Sequence, residues 1–156
     1  MDSVLPPAKD QPVLIAADHA GFDLKSVLIQ HLHQTHREVQ DFGTHSPDSM
    51  DYPDVVHPLA RSLRDGQRGI VVCGSGNGVS MVANKYPDVR CALAWNVETA
   101  RLARQHNNAN ILALPARFLT TDDALAIVEA FLTTDFEGGR HQRRVDKVAP
   151  GTPPAA

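Results

Sequence analysis

GIVVCGSGNG, Gly69 to Gly78, joins a five-residue apolar run to a glycine-rich turn, and a short apolar segment with helical character continues from it toward Asn84 and Lys85. An apolar run of that length, closed by glycines, reads as a strand buried on both faces. Outward from it, Val13 to Ala17, Arg90 to Ala94 and Asn110 to Leu114 share the same character, and Glu38 to Phe42 is a weaker strand. Between them Val55, Val56, Leu59, Ala60 and Leu63 recur at helical spacing, as do Ala124, Ile127, Val128, Phe131 and Leu132. Apolar strands alternating with amphipathic helices define an α/β fold, an open Rossmann-like sandwich whose parallel sheet is covered on both faces.

The chain has 156 residues, of which 42% are apolar, enough for one domain with its own core. That domain is expected to span 13–148. Residues 1–12 and 149–156 are rich in Pro, Ala and Gly and are expected to be disordered. A net charge of −3 provides no basic field, which argues against nucleic acid as a partner. No run has the length or apolarity of a signal peptide or membrane span, so a soluble, cytoplasmic protein without membrane contact is expected. The two cysteines, Cys73 and Cys91, are expected to be reduced thiols, since a single bridge is a poor account of a domain this size.

In sheets of this kind ligands bind beyond the carboxyl ends of the strands, so the informative residues are those that follow strands. Cys73-Gly74-Ser75-Gly76-Asn77-Gly78 allows successive backbone N–H groups to turn inward at a helix start, an arrangement that stabilises an anion. It lacks the lysine of a phosphate-binding P-loop and the spacing of a dinucleotide fingerprint, and a plain connecting turn is the alternative. A thiol at that strand end adds a base: free cysteine titrates near ~8.5 and a helix N-terminus lowers the value. Cys91, inside an apolar strand with no such loop, reads as a small core residue.

Asp18-His19-Ala20-Gly21 follows the first strand, where Asp18 either faces a ligand or caps the next helix. Asp51-Tyr52-Pro53 is a turn from which Tyr52 has the reach to contact a ligand. Arg104-Gln105-His106-Asn107-Asn108 closes a helix, and His106 there suits the negative end of the helix dipole. Arg140 and Arg144, four apart in Gly138 to Arg144, form either a phosphate clamp or a solvated basic face.

Taken together, AADHAG (Ala16 to Gly21), DYP (Asp51 to Pro53), CGSGNG (Cys73 to Gly78), ANK (Ala83 to Lys85), RQHNN (Arg104 to Asn108) and EGGRHQRRV (Glu137 to Val145) closely resemble the ribose-5-phosphate isomerase B family, which includes galactose- and allose-phosphate isomerases. The resemblance implies a three-layer α/β/α sandwich with a five-stranded parallel sheet. It implies a homodimer, or a tetramer built from it, with each active site shared between chains. It further implies interconversion of ribose 5-phosphate and ribulose 5-phosphate without metal or cofactor.

In the family's terms Cys73 is the base that moves the proton between C2 and C1 through a cis-enediolate. Ser75 moves the proton between the two oxygens, and Gly74, Gly76, Asn77 and Gly78 form the anion hole. His106 helps to open the sugar ring, assisted by Asp18; Tyr52 and Asn107 contact the sugar. His19, Arg117, Arg140 and Arg144 hold the phosphate, the last two from the partner chain. Relatives without the cysteine carry a glutamate base shortly after the glycine loop, where this chain has Val79. Pro115 stands before Arg117 where a glycine-rich turn is more usual in the family.

Overall fold

The computed structural model describes residues 10–151, 153 and 154. Of the two terminal segments expected to be disordered, residues 1–9, 152, 155 and 156 lie outside the described residues. Five strands, β1 (Val13–Ala17), β2 (Val39–Asp41), β3 (Gly69–Cys73), β4 (Cys91–Leu93) and β5 (Ile111–Pro115), form one sheet in the order β2-β1-β3-β5-β4, every pair parallel. The helices are α1 (Phe22–Gln34), α2 (Pro53–Ser62), α3 (Asn77–Ala83), α4 (Val97–Asn107), α5 (Thr121–Thr133) and the single turn α6 (Gln142–Val145).

β1, β3 and β5 are buried along their whole length, as their unbroken apolar runs require. Because side chains alternate across a strand, each run feeds two cores. Ile15, Val72 and Leu114 pack with Leu28 and Leu32 of α1, Ala100 of α4 and Ile127, Val128 and Phe131 of α5. Leu14, Val71, Cys73 and Ala113 face the other way, toward Val56 and Leu59 of α2 and Val79 and Ala83 of α3. The result is the three-layer α/β/α sandwich expected from the sequence. β2 and β4 are shorter than expected because they are the sheet edges, each paired on one side only and less deeply buried.

Two features fix the layers laterally. The ammonium of Lys25, 2% exposed, bonds both carboxylate oxygens of Asp41 at 2.7 and 2.8 Å, which ties α1 to β2. Arg104, also 2% exposed, donates to the carbonyls of Thr134 (3.0 Å) and Ala109 (2.6 Å) and to Asn108 Oδ1 (2.9 Å). It thereby closes the C-terminal end of α4, where Asn108 adopts the left-handed conformation common at helix ends.

The chain leaves β1 toward β2 on one side and later returns to β3 on the other. The strand order therefore diverges between β1 and β3, the position at which open α/β sheets form a crevice.

Candidate active site

A cleft of about 970 Å³ opens at the carboxyl ends of β1, β3 and β5. Cys73 ends β3, and the Gly76 amide turns back to donate to its Sγ at 3.1 Å. That turn depends on Gly76, whose φ of +75° is left-handed and whose side a Cβ would fill against the Leu93 side chain and the Leu114 backbone. Ser75 Oγ accepts from the Asn77 amide at 3.3 Å, so the hydroxyl is held at the mouth of the same turn. Ser75 is half-buried, whereas Cys73 is only 5% exposed.

Asp18 follows β1 and is buried. Its backbone N–H donates to the Val72 carbonyl (3.1 Å) and its carboxylate accepts from the Gly21 amide (3.0 Å), closing the turn into α1. Asp18 thus orders the turn and lines the cleft, but it does not cap α1, whose N-cap is Gly21 with no side-chain cap hydrogen bond. His19 Nδ1 accepts from the Met50 amide at 3.2 Å, which places the hydrogen of the neutral imidazole on Nε2. Pro53 occupies the first turn of α2, where its missing N–H costs nothing, and Tyr52 sits just before it. The Tyr52 ring lies directly over Gly78: a Cβ there would approach Tyr52 Cζ to 2.5 Å, so only glycine admits this packing. Arg117, in the 3-10 turn Ala116–Phe118 after β5, donates its backbone N–H to the Gly74 carbonyl (3.0 Å) and lays its side chain along Gly74.

One chain therefore brings Asp18, His19, Tyr52, Cys73, Ser75 and Arg117 to a single cleft, together with the backbone of Gly74 and Gly78. Gly76 lies buried beneath that lining, and Asn77 is exposed at the start of α3. Val79 is fully buried in the α2/α3 core. Cys91 packs its thiol inward beside Ser80, and burial pushes its pKa up to about 12.

The remaining expected site residues form a second group away from the cleft lining. His106, in the last turn of α4, stacks on His141 with ring centres 4.2 Å apart and planes 13° from parallel. Asn107, Arg140 and Arg144 are exposed nearby in sequence, with Arg140 in the 3-10 turn Gly139–His141 and Arg144 in α6 rather than on one continuous helix. His141 is buried, and its pKa is lowered first by removal from water and then by His106 and Arg140, with Glu137 opposing. His106, Glu137 and His141 bring their donor atoms within 4.8 Å of one another. A metal binds an imidazole in the plane of the ring, so two nearly parallel stacked rings cannot both aim at one ion. The trio is a stacked pair with a carboxylate at its edge.

Sequence reasoning passed over Ser49, Met50 and Phe118, which also line the cleft. Ser49 and Met50 belong to an irregular loop with no periodicity to mark it, and a lone aromatic after a strand carries no signal. No helix among the described residues is long and apolar enough to cross a membrane.

A switch-point cleft carrying a thiol, backbone amides and a cationic side chain suits an enzyme acting on a small anionic substrate. The ribose/galactose isomerase family model matches residues 13–148. Among curated proteins, the ribose-5-phosphate isomerase B of Mycobacterium tuberculosis is 49% identical over 141 residues, 88% of this chain and 87% of that one. Among solved structures, ribose-5-phosphate isomerase B from Anaplasma phagocytophilum superposes with a TM-score of 0.86 at 39% identity, covering 88% of this chain and 96% of that one. The Mycoplasma genitalium enzyme of the same name, solved with bound ribulose-5-phosphate, gives a TM-score of 0.85 at 45% identity over 88% of this chain and 93% of that one. The chain belongs to the ribose/galactose isomerase family and is a sugar-phosphate isomerase.

Proposed function

We propose that this isomerase interconverts D-ribose 5-phosphate and D-ribulose 5-phosphate through a cis-enediolate, with Cys73 as the base. The observation that carries the reading is the pairing of a strand-end sulfur with the Gly76 amide inside a cleft large enough for a sugar phosphate. The similarity to a Mycoplasma genitalium enzyme solved with ribulose-5-phosphate supports the choice of substrate.

With the open-chain aldose bound, the Cys73 thiolate takes the proton from C2, and the C–H electron pair moves to make the C1–C2 double bond of an enediolate. Negative charge develops on O1 beside the amides of Gly74 to Gly78, where one fixed donor is worth roughly 3 kcal/mol. Ser75 carries the O2 proton to O1's side of the enediol system, and the thiol returns its own proton to C1, leaving the ketose and a regenerated thiolate. His19 and Arg117 hold the phosphate from this chain, and Tyr52 packs against the sugar.

The chain acts as a homodimer in which His106, Asn107, Arg140 and Arg144 of one protomer complete the cleft of its partner. Supporting this, those residues stand outside the cleft of their own chain, while Trp95, Met81 and Phe118 expose 49%, 66% and 60% of their surface. Trp95 and Phe118 have ring centres 4.9 Å apart, and Phe118 continues the apolar patch to the cleft rim. Such a patch is what an interface covers. In this assembly His106 assists ring opening with Asp18, and the two arginines clamp the phosphate. The working unit is one domain over 13–148 in the cytoplasm, with no cofactor.

The test is ribulose 5-phosphate formation by purified protein in EDTA, beside the Cys73→Ala variant. Turnover abolished by the substitution is expected; near-normal turnover in Cys73→Ala refutes the base. A folded wild type inactive on ribose 5-phosphate but active on an allose, galactose or tetrose phosphate reassigns the substrate, and binding without any turnover refutes catalysis.

A further inference from the structure

At the opposite edge of the sheet, where β3, β4 and β5 begin, a second cleft of about 480 Å³ is lined by Arg64, Arg68, Arg90 and Asn110. Among the described residues none of these arginines makes a salt bridge. Arg68 Nη1 is held by the carbonyls of Gly66 (2.9 Å) and Gln67 (3.5 Å), and Arg90 Nε by the Asn108 carbonyl (2.9 Å). Both side chains are half-buried, so their orientation is set by backbone, while the other guanidinium N–H groups have no acceptor among the described residues.

Buried Arg104, near enough to feel the charges of Arg68 and Arg90, has its Nε and Nη1 donors already engaged. The electrostatics are strained in a consistent direction. Burial and mutual repulsion lower the pKa values of Arg68 and of Arg104, the latter to about 10, and burial lowers that of Arg90. Asp65 and Asp88 in the lining, and Asp135 beyond it, attract these cations without reaching salt-bridge distance. Fixed, partly desolvated guanidinium forks with free donors are the arrangement that recognises phosphate oxygens. The lining's apolar residues are limited to Leu63 and Pro87 and include no aromatic ring, so nothing there offers a platform for a nucleobase.

We propose that this edge is a second anion site that binds a compact, non-aromatic phosphate-bearing ligand, independently of the catalytic cleft. The test is a titration of the intact assembly with inorganic pyrophosphate, followed by amide chemical shifts, which report the two sites separately. Saturable shifts at Gly66 to Arg68 and at Arg90 are expected, apart from any at Gly74 to Gly78. Arg64, exposed and without a side-chain partner among the described residues, is the variant position. Arg64→Glu should weaken the first set about tenfold or more, the value of one charge-assisted contact, and leave the midpoint of the second set unchanged. Arg64→Gln provides the same comparison if charge reversal disturbs the spectrum.

Shifts that saturate only at Gly74 to Gly78, that fail to saturate at the far edge, or that are unaffected by both Arg64 variants would overturn the proposal. Adenosine monophosphate binding this edge more tightly than pyrophosphate would overturn the ligand class.

Discussion

The Gly76 amide points at the sulfur of Cys73 across 3.1 Å, within one turn of four residues. Gly76→Ala should disturb both function and folding. A left-handed alanine costs roughly 1–2 kcal/mol, and its Cβ also meets the Leu93 side chain. We expect kcat to fall on the order of a hundredfold, as when a fixed oxyanion donor is lost, with a lower thermal midpoint. Full activity in a folded Gly76→Ala enzyme would detach the turn from catalysis.

The two thiols should differ in reactivity. Thiolate is the form that alkylates. Burial raises the Cys91 pKa to about 12, so this thiol stays protonated through the neutral and mildly alkaline range. Treating native protein with iodoacetamide at pH 8 and again at pH 10, with peptide mass analysis, should show Cys91 unmodified at both. Any labelling should fall on Cys73 and be slowed by sugar phosphate.

Subunit mixing tests the proposed sharing of the site between protomers. Inactive Cys73→Ala and His106→Ala proteins, unfolded together and reassembled at equal concentration, should recover about a quarter of wild-type activity. Half of randomly paired dimers are mixed, and each holds one intact and one doubly defective cleft. No recovery from separately refoldable variants would place His106 in the cleft of its own chain.

His141 should weaken the fold in acid. Its folded-state pKa is depressed, so the neutral ring is stabilising above the ordinary value near 6.5, and that contribution is lost as pH falls below it. Unfolded chains take up the proton there and folded chains do not. Urea midpoints measured between pH 8 and 5 should fall more steeply for wild type than for His141→Gln; parallel curves would remove His141 as the cause.

Arg104→Met should cost about 2–4 kcal/mol in chemical denaturation, because it leaves the buried carbonyl of Ala109 and the half-buried carbonyl of Thr134 without their donor. The end of α4 that carries His106 and Asn107 would loosen with it, so a rise in KM alongside the loss of stability is expected.

The strands of the central sheet were legible because burial on both faces leaves an unbroken apolar run: the bounds of β1 and β3 match the sequence reading residue for residue, and β5 is displaced by one. Edges and ends were harder. The run that reads as a strand ends at Ala94, yet β4 stops at Leu93, since one-sided pairing leaves less for side chains to specify. Leu63 kept the helical spacing of α2 but falls just beyond it, at the C-cap. The four-residue spacing of Arg140 and Arg144 suits one helix face, but with Gly138 and Gly139 at positive φ a 3-10 turn comes first and holds Arg140, while Arg144 lies in α6. At the site, motifs identified the residues that follow strands; they could not reveal that Tyr52 rests on Gly78, a contact between loops far apart in the chain. Arg104 opens the RQHNN stretch that closes α4, and its burial makes it a structural tie.

Sulfur and amide both belong to the turn after β3, whereas His19, Tyr52 and Arg117 arrive on three other loops. The sulfur–amide pair therefore lies within one short segment, while Leu93, Arg117 and Tyr52 press on its glycines from other parts of the chain. Of the three loops, the one carrying His19 is not among the described residues nearest the turn's glycines, so substitutions there are the ones expected to change the cleft wall while leaving the Cys73–Gly76 distance as it is.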